Sequence, residues 1–377
     1  MNPVPVTALQ EGARYPAPLY VDGSVFLRPN VEITQKDLDT LKNLGVIEVF
    51  TDAPPPANTV DTPPPPEAPL PSAVQPAAES GANSVFYRLG EEIKLLKNVF
   101  NTIGAKNAIK PRIIWTIVAT LLQLLKRDKN GCIEFVLCNN IRSNDLAKSS
   151  VNIGILTALI AIEKGISDQV VPELVSAALL HDTGMLRLPK ALLEKKTPLT
   201  DEEKKLIQQH VVFSYHIVKD ELHYPASIAA AVLQHHERWD GMGYPQGIAG
   251  NNIDKGACII AIADSFEALV SIKPYRNSMN AYHAMKTMMS ENLSHFSPRV
   301  MQDFVKIMGI YPIGSGVILN NGAYARVQDV NKDAPLRPIV KITANSSGDP
   351  APDGEIIDLL SVKNLYITQI YDSGKAR

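Results

Sequence analysis

Val175-Ser176-Ala177-Ala178-Leu179-Leu180-His181-Asp182-Thr183-Gly184 decides the reading of this chain, because an apolar run there ends on an adjacent imidazole and carboxylate. The same pairing of apolar helix and titratable end recurs downstream. His210 falls in a helical segment, and Ala226 to His236 runs into His235-His236-Glu237-Arg238-Trp239-Asp240-Gly241-Met242-Gly243-Tyr244-Pro245. Asp264 sits inside the apolar run 256–271. Four of the chain's eight histidines, His181, His210, His235 and His236, thus lie on helical segments in the stretch that also carries Asp182, Glu237 and Asp264. Imidazole mixed with carboxylate is the donor set of a transition-metal site suited to iron, manganese or zinc. An isolated His-Asp dipeptide says little, but followed by this series it points to a metal centre. An aspartate can bridge two cations through its two oxygens, and two cations sharpen a water for attack on phosphorus.

Working outward, the pattern on both sides of the stretch is helical. Segments 84–103, 111–126, 144–164, 172–180, 199–220, 280–290 and 297–308 carry apolar faces at helical spacing. Pro111 suits a first helical turn, and Thr200 with Glu203 three residues on reads as a capping box. The expected fold is mainly α: an all-helical domain over 112–310, preceded by a connecting helix over 84–111. Residues 1–52 read as a small α/β module, with strands at 19–21, 25–27 and 46–50 and a helix capped by Thr34. Residues 53–83 are a proline-rich tether. Residues 311–377 read as a small β extension, with strands at 316–319, 323–327, 338–343 and 365–370.

Composition narrows the function classes. With 45% hydrophobic and 20% charged residues and a net charge of −2, the chain has an ordinary core and no basic excess for nucleic acid or anionic lipid. The longest apolar run, Ile113 to Leu125, is broken by Thr116, Thr120 and Gln123 and is too short to span a bilayer. Cys132, Cys138 and Cys258 form no C-x-x-C pair and read as small buried hydrophobes in a reducing, cytoplasmic setting. His216, His223, His283 and His295 read as surface or packing residues. Glu237 reads as an outer partner orienting a histidine, and Trp239 as core.

The motifs His181-Asp182-Thr183-Gly184, His235 to Pro245 and Ala263-Asp264-Ser265-Phe266-Glu267-Ala268-Leu269, extended by Lys273-Pro274-Tyr275-Arg276, resemble the HD-GYP branch of the HD phosphohydrolase superfamily. The resemblance covers about residues 112 to 330. It implies a centre of two or three divalent metal ions, iron or manganese with zinc as an alternative. It also implies a phosphodiesterase that opens cyclic di-GMP to pGpG and, in some members, to GMP. By that likeness His181, Asp182, His210, His235, His236 and Asp264 are metal ligands, with His181 and Asp182 central to catalysis and Asp182 bridging. Arg276 and Tyr244 meet substrate, and the Gly243-Tyr244-Pro245 loop can also face a signalling protein.

Two positions depart from the family pattern. Ser149 stands where a first metal histidine is expected, with Asp145 one turn earlier as a partial substitute. Met185 stands where the motif has a lysine that resembles a phosphate clamp. Losing one preorganised donor of that kind costs roughly 3–4 kcal/mol of transition-state stabilisation. Two functions therefore compete: a weakened cyclic di-GMP phosphodiesterase, and a degenerate member that binds cyclic di-GMP or a partner without turnover. A third, an HD phosphohydrolase acting on another nucleotide, sits poorly with the Gly243-Tyr244-Pro245 loop.

Overall fold

The computed structural model describes residues 2–21, 24–27, 31–35, 37–38, 41, 48–51, 84–107, 110–137, 145–195, 197–271, 279–290 and 293–371. The chain divides into two compact units, 1–67 and 68–377.

In the first unit, strands β1 (Asn2–Pro5), β2 (Leu19–Val21), β3 (Ser24–Leu27) and β4 (Glu48–Thr51) form an antiparallel sheet in the order β1-β4-β2-β3. The hairpin expected from 19–27 is present, with Leu19 opposite Leu27 and Val21 opposite Ser24. Leu19, Ile33, Leu41 and Val49 fill a small core. Thr34 accepts the backbone N–H of Asp37, as a cap does. Strand β1 was not anticipated, since Pro3 and Pro5 argue against a strand. It lies at the sheet edge, where a residue without an N–H is tolerated. The proline-rich stretch 53–83 lies outside the described residues.

The second unit is mainly helical and ends in a small sheet. Helix α1 (Val85–Gly104) is capped by Ser84, which accepts the N–H of Tyr87. Leu89, Leu96, Val99, Phe100 and Ile103 make one buried stripe, so α1 packs into the core rather than only connecting to it. Helix α2 (Arg112–Arg127) buries Ile114, Ile117, Val118, Leu121, Leu124 and Leu125. Helix α3 (Lys129–Leu137) was missed: it is short, carries Gly131, and starts on an Asp128 carboxylate that accepts the Gly131 N–H.

Helix α4 (Leu146–Glu163) runs through the middle and is apolar on nearly every side. It is long and apolar enough to cross a bilayer, yet 78% of that window is covered by protein. A helix that is hydrophobic all round belongs in such a core, and each buried Leu or Ile contributes about 1.5–3 kcal/mol. Helix α5 (Val171–Leu180) packs beside it, Gly154 letting Leu179 approach closely.

The single helix expected over 199–220 is three pieces. Helix α6 (Asp201–Gln208) starts with the predicted capping box, Thr200 and Glu203 bonding reciprocally. Helix α7 (His210–His216) follows, then a π turn over Ile217–Glu221. The break has a local cause: the His210 ring takes the Ile207 carbonyl, the acceptor that residue 211 would use in a continuous helix. Helices α8 (Ala226–Gln234), α9 (Lys255–Val270), α10 (Ala281–Ser290) and α11 (Pro298–Met308) complete the bundle, with Phe266 and Phe304 edge-to-face at 5.1 Å.

Strands β5 (Gly316–Leu319), β6 (Tyr324–Asp329), β7 (Ile339–Ala344), β8 (Ile356–Asp358) and β9 (Ile367–Tyr371) form an antiparallel sheet in the order β8-β7-β6-β5-β9. Strand β8 was missed because three residues at an exposed edge leave little alternation to detect. The sheet is fastened to the helices by Lys332 on Glu163 and by Tyr311 stacked on Tyr282 at 5.5 Å.

Candidate metal centre

Three helix ends converge, and each delivers a histidine. His181 caps the C-terminus of α5, His235 caps the C-terminus of α8, and His210 follows the end of α6. At each end the backbone leaves carbonyls with no intrahelical partner. The ring Nδ1 of His181 lies 2.7 Å from Ala178 O, that of His210 2.7 Å from Ile207 O, and that of His235 2.7 Å from Val232 O. A carbonyl only accepts, so each Nδ1 donates its N–H and each Nε2 faces the interior. Backbone, not side chains, sets the tautomer here.

Asp182 stands at the focus. Its Oδ1 is 3.1 Å from His210 Nε2 and 3.7 Å from His235 Nε2, and its Oδ2 is 3.3 Å from His181 Nε2. One ligand atom each from Asp182, His210, His235 and His236 lies within 4.8 Å of the others. Asp182 Oδ1 and the three Nε2 atoms are buried without hydrogen-bond partners among the described residues. Lone pairs facing one another at these distances need a proton or a cation between them. The set fits a divalent transition metal, and the negative ends of the three helices favour positive charge there.

Titration follows the same geometry. Burial pushes His181 down, but the Asp182 carboxylate, with Asp264 behind it, lifts it to about 9. His210 is also raised, Asp182 overcoming burial. Burial takes His235 down to about 4 and His236 well below its ordinary range. For Asp182, burial would raise the carboxyl, yet His181 and its neighbours hold it well below the carboxylate range. Without a cation, the proton on His181 serves as the counter-charge to the Asp182 carboxylate.

Glycines set the close approaches. A Cβ on Gly184 would lie 2.0 Å from His210 O, so only glycine lets the turn after Asp182 rest against α7, where its N–H reaches Ser214 Oγ at 2.7 Å. A Cβ on Gly243 would lie 2.3 Å from Arg238 N. Its absence lets the loop fold back so that Tyr244 N–H bonds His236 O at 3.1 Å, and the Tyr244 ring lies 4.9 Å from that of His236.

The remaining residues divide. Asp264, on α9, comes within 4.0 Å of His236 Nδ1. Asp145 lies outside the four-residue cluster: its Oδ1 caps the Ala147 N–H and its Oδ2 pairs with Lys97 at 2.9 Å. Ser149 is half-buried in the first turns of α4, and Met185 is half-buried in the turn Thr183–Arg187. Arg276 and Cys138 lie outside the described residues. Cys132 and Cys258 are free thiols, pushed up by burial to about 12 and about 11. His216, His223 and His283 are exposed, and His295 is half-buried. Glu237 orients no histidine: its two oxygens accept the backbone N–H groups of Gln246 and Ile248. The backbone seats for the three rings were overlooked in the sequence, although a histidine placed just past a helix end signals them.

Comparison with known proteins agrees with this geometry. A family model described as an HD domain matches residues 138–300, and one described as a KOW domain associated with HD domain matches residues 316–376. The chain is 27% identical over 339 residues to the cyclic di-GMP phosphodiesterase PA4108 of Pseudomonas aeruginosa, covering 86% of this chain and 80% of that protein. It is 34% identical over 172 residues to a cyclic di-GMP phosphodiesterase of Thermotoga maritima, covering 45% of this chain and 47% of that one, about half its length. Among solved structures, Bd1817, a HDG"Y"P protein from Bdellovibrio bacteriovorus, aligns with a TM-score of 0.49 at 16% identity over 80% of this chain and 97% of that one. The HD-domain match over residues 138–300 and the similarity to these curated cyclic di-GMP phosphodiesterases support placing the chain in the HD-GYP family.

Proposed function

We propose that this chain is a divalent-metal-dependent phosphodiesterase that hydrolyses cyclic di-GMP to pGpG, GMP or both. The observation that carries the reading is the convergence of three buried, partnerless Nε2 atoms on the Asp182 carboxylate, those of His210 and His235 on Oδ1 and that of His181 on Oδ2. Asp182, His210, His235 and His236 would hold one cation. His181, the second oxygen of Asp182 and Asp264 would share a weaker one, iron or manganese at both, with zinc as an alternative. A third ion would need Asp145. Bound there, such ions supply charge for the phosphoryl oxygens and activate water. The chain's own groups do the rest: carbonyl-held imidazoles keep the ligand atoms in place, and the Tyr244 ring lies against that of His236. Arg276 would pair with a substrate phosphate through its planar fork. The chemistry falls within 112–310, leaving 1–52 and 311–377 as accessory modules in a cytoplasmic signalling protein. The Gly243-Tyr244-Pro245 loop, with Met242 76% exposed, offers a surface to a partner.

A second reading, binding of cyclic di-GMP without turnover, is favoured by Ser149, by Met185 and by the pairing of Asp145 with Lys97. Metal analysis of protein purified without oxygen, with chromatography of cyclic di-GMP incubations, separates the two. Two metals per chain and accumulating pGpG or GMP are expected. One metal or none, with the ligand bound and unchanged, removes the enzyme.

A further inference from the structure

We infer that Glu237 is a positioning residue: its buried carboxylate latches the 240–248 loop and thereby sets the Tyr244 ring over His236. The inference rests on the reading of His235 and His236 as metal ligands at a phosphodiesterase site.

Glu237 is a carboxylate only 3% exposed, with no ion-pair partner among the described residues. Its charge is met by backbone: Oε1 accepts the Gln246 N–H at 2.6 Å and Oε2 accepts the Ile248 N–H at 3.2 Å. Charged acceptors make strong bonds of this kind. The side chain leaves the backbone one residue after His236 and returns to the loop two residues after Tyr244. It therefore closes the loop at the point where Tyr244 must turn inward. The root of the loop is fastened separately. Arg238 forks onto Asp240, Asp240 Oδ1 accepts the Met242 N–H at 3.0 Å, and Trp239 N–H bonds His295 O at 2.8 Å. The return limb of the loop is held by Glu237, with one longer side-chain bond beside it, from Gln234 Nε2 to Gln246 Oε1 at 3.4 Å. Tyr244 then lies against two ligand rings, 4.9 Å from His236 and 6.4 Å from His210.

The test is a double-mutant cycle in the full-length protein, using Glu237→Gln, Tyr244→Ala and the pair. Glutamine presents an N–H group where the second amide needs an acceptor, so the latch opens. The first readout is the His236 ring-proton resonance in histidine-labelled protein without metal, which needs no turnover. Both single variants are expected to move it equally, and the pair no further. The second readout is KM and kcat for cyclic di-GMP, or its Kd where nothing is hydrolysed. KM or Kd should rise about tenfold in each single variant and in the pair alike, with kcat within about twofold and its pH profile unchanged. Glu237→Asp, which keeps the charge but reaches one amide, should fall between. Gly243→Ala, whose Cβ would press on the backbone of His236, Glu237 and Arg238, lifts the loop while keeping the Glu237 carboxylate, and should reproduce the effect if Glu237→Gln does not fold. A His236 resonance unmoved by Glu237→Gln overturns the inference, as does an additive pair or a displaced pH profile. Absence of hydrolysis with an intact His236 response overturns only the enzymatic reading.

Discussion

The two sides of the centre are built to different standards. Around Asp182 Oδ1, two imidazole Nε2 atoms approach to 3.1 and 3.7 Å, both rings are locked by backbone carbonyls, and His236 completes a compact cluster. On the other side Asp182 Oδ2 meets His181 at 3.3 Å and Asp264 stands 4.0 Å from His236, while Asp145 is committed to Lys97 and a helix cap. Ligand preorganisation, not ligand count, separates the two. The first side needs only a cation to neutralise lone pairs already aimed together, while the second must also recruit a partner.

The comparison breaks most easily at Asp182, since both sides depend on it. Asp182→Ala should lower affinity for the tighter cation by more than about 100-fold, the upper end of what an outer partner costs. Metal analysis after dialysis against a weak chelator checks this, with near-zero occupancy expected. Full occupancy would mean that His210, His235 and His236 suffice.

Next in size is the proton that stands in for the missing charge. His181 is raised to about 9, so at pH 7.5 the metal-free protein carries that proton and cation binding expels it. His235, at about 4, is already neutral and contributes none. Calorimetry in buffers of different ionisation enthalpy should find at least about one proton released per cation at pH 7.5, and none from His181 above about pH 10. The stability of the metal-free protein has matching signs. The His181 contribution is present in full below pH 6.5 and lost as pH rises through 9. The neutral burial of His235 works against the fold as pH falls from 6.5 towards 4. A calorimetric proton count of zero would place His181 outside the centre.

Much of this was legible before the structure, and for local reasons. Val175 to Leu180 ending on His181-Asp182, Thr200 with Glu203, and Gly243-Tyr244-Pro245 after His235-His236 each encode their geometry within one or two turns. What escaped is non-local or too short to be periodic. Strand β1 is hidden by Pro3 and Pro5, β8 is three residues long, and the break before His210 depends on one ring capturing one carbonyl. The role of Glu237 was misread because its partners lie nine and eleven residues ahead, across a loop whose closure no spacing rule describes. Asp145 stands one turn before Ser149, whose N–H bonds its carbonyl, but Lys97 lies 48 residues earlier in the chain and could not be foreseen.

Supplying the missing imidazole sharpens the comparison from the weaker side. Ser149→His should tighten binding of the second cation by about tenfold, imidazole being a far better donor than a neutral hydroxyl. Titration with manganese followed by metal analysis reads this directly, and any turnover of cyclic di-GMP should rise with it. No change in either would mean that position 149 does not face the centre.

The smallest effect belongs to Asp145. Asparagine retains the cap on Ala147, because Asn and Asp serve about equally well there, but it removes the charge opposite Lys97. Lys97 is 59% exposed, so solvent screens the pair and the loss should be only about 0.5 kcal/mol. Asp145→Asn should therefore shift the urea midpoint slightly and leave metal content unchanged. The reasoning is geometric: one oxygen is on a backbone amide and the other on an ammonium, so a metal could claim Asp145 only by displacing Lys97. Lower metal content in Asp145→Asn would show that this displacement happens, and that the less organised side of the centre gathers a ligand on binding.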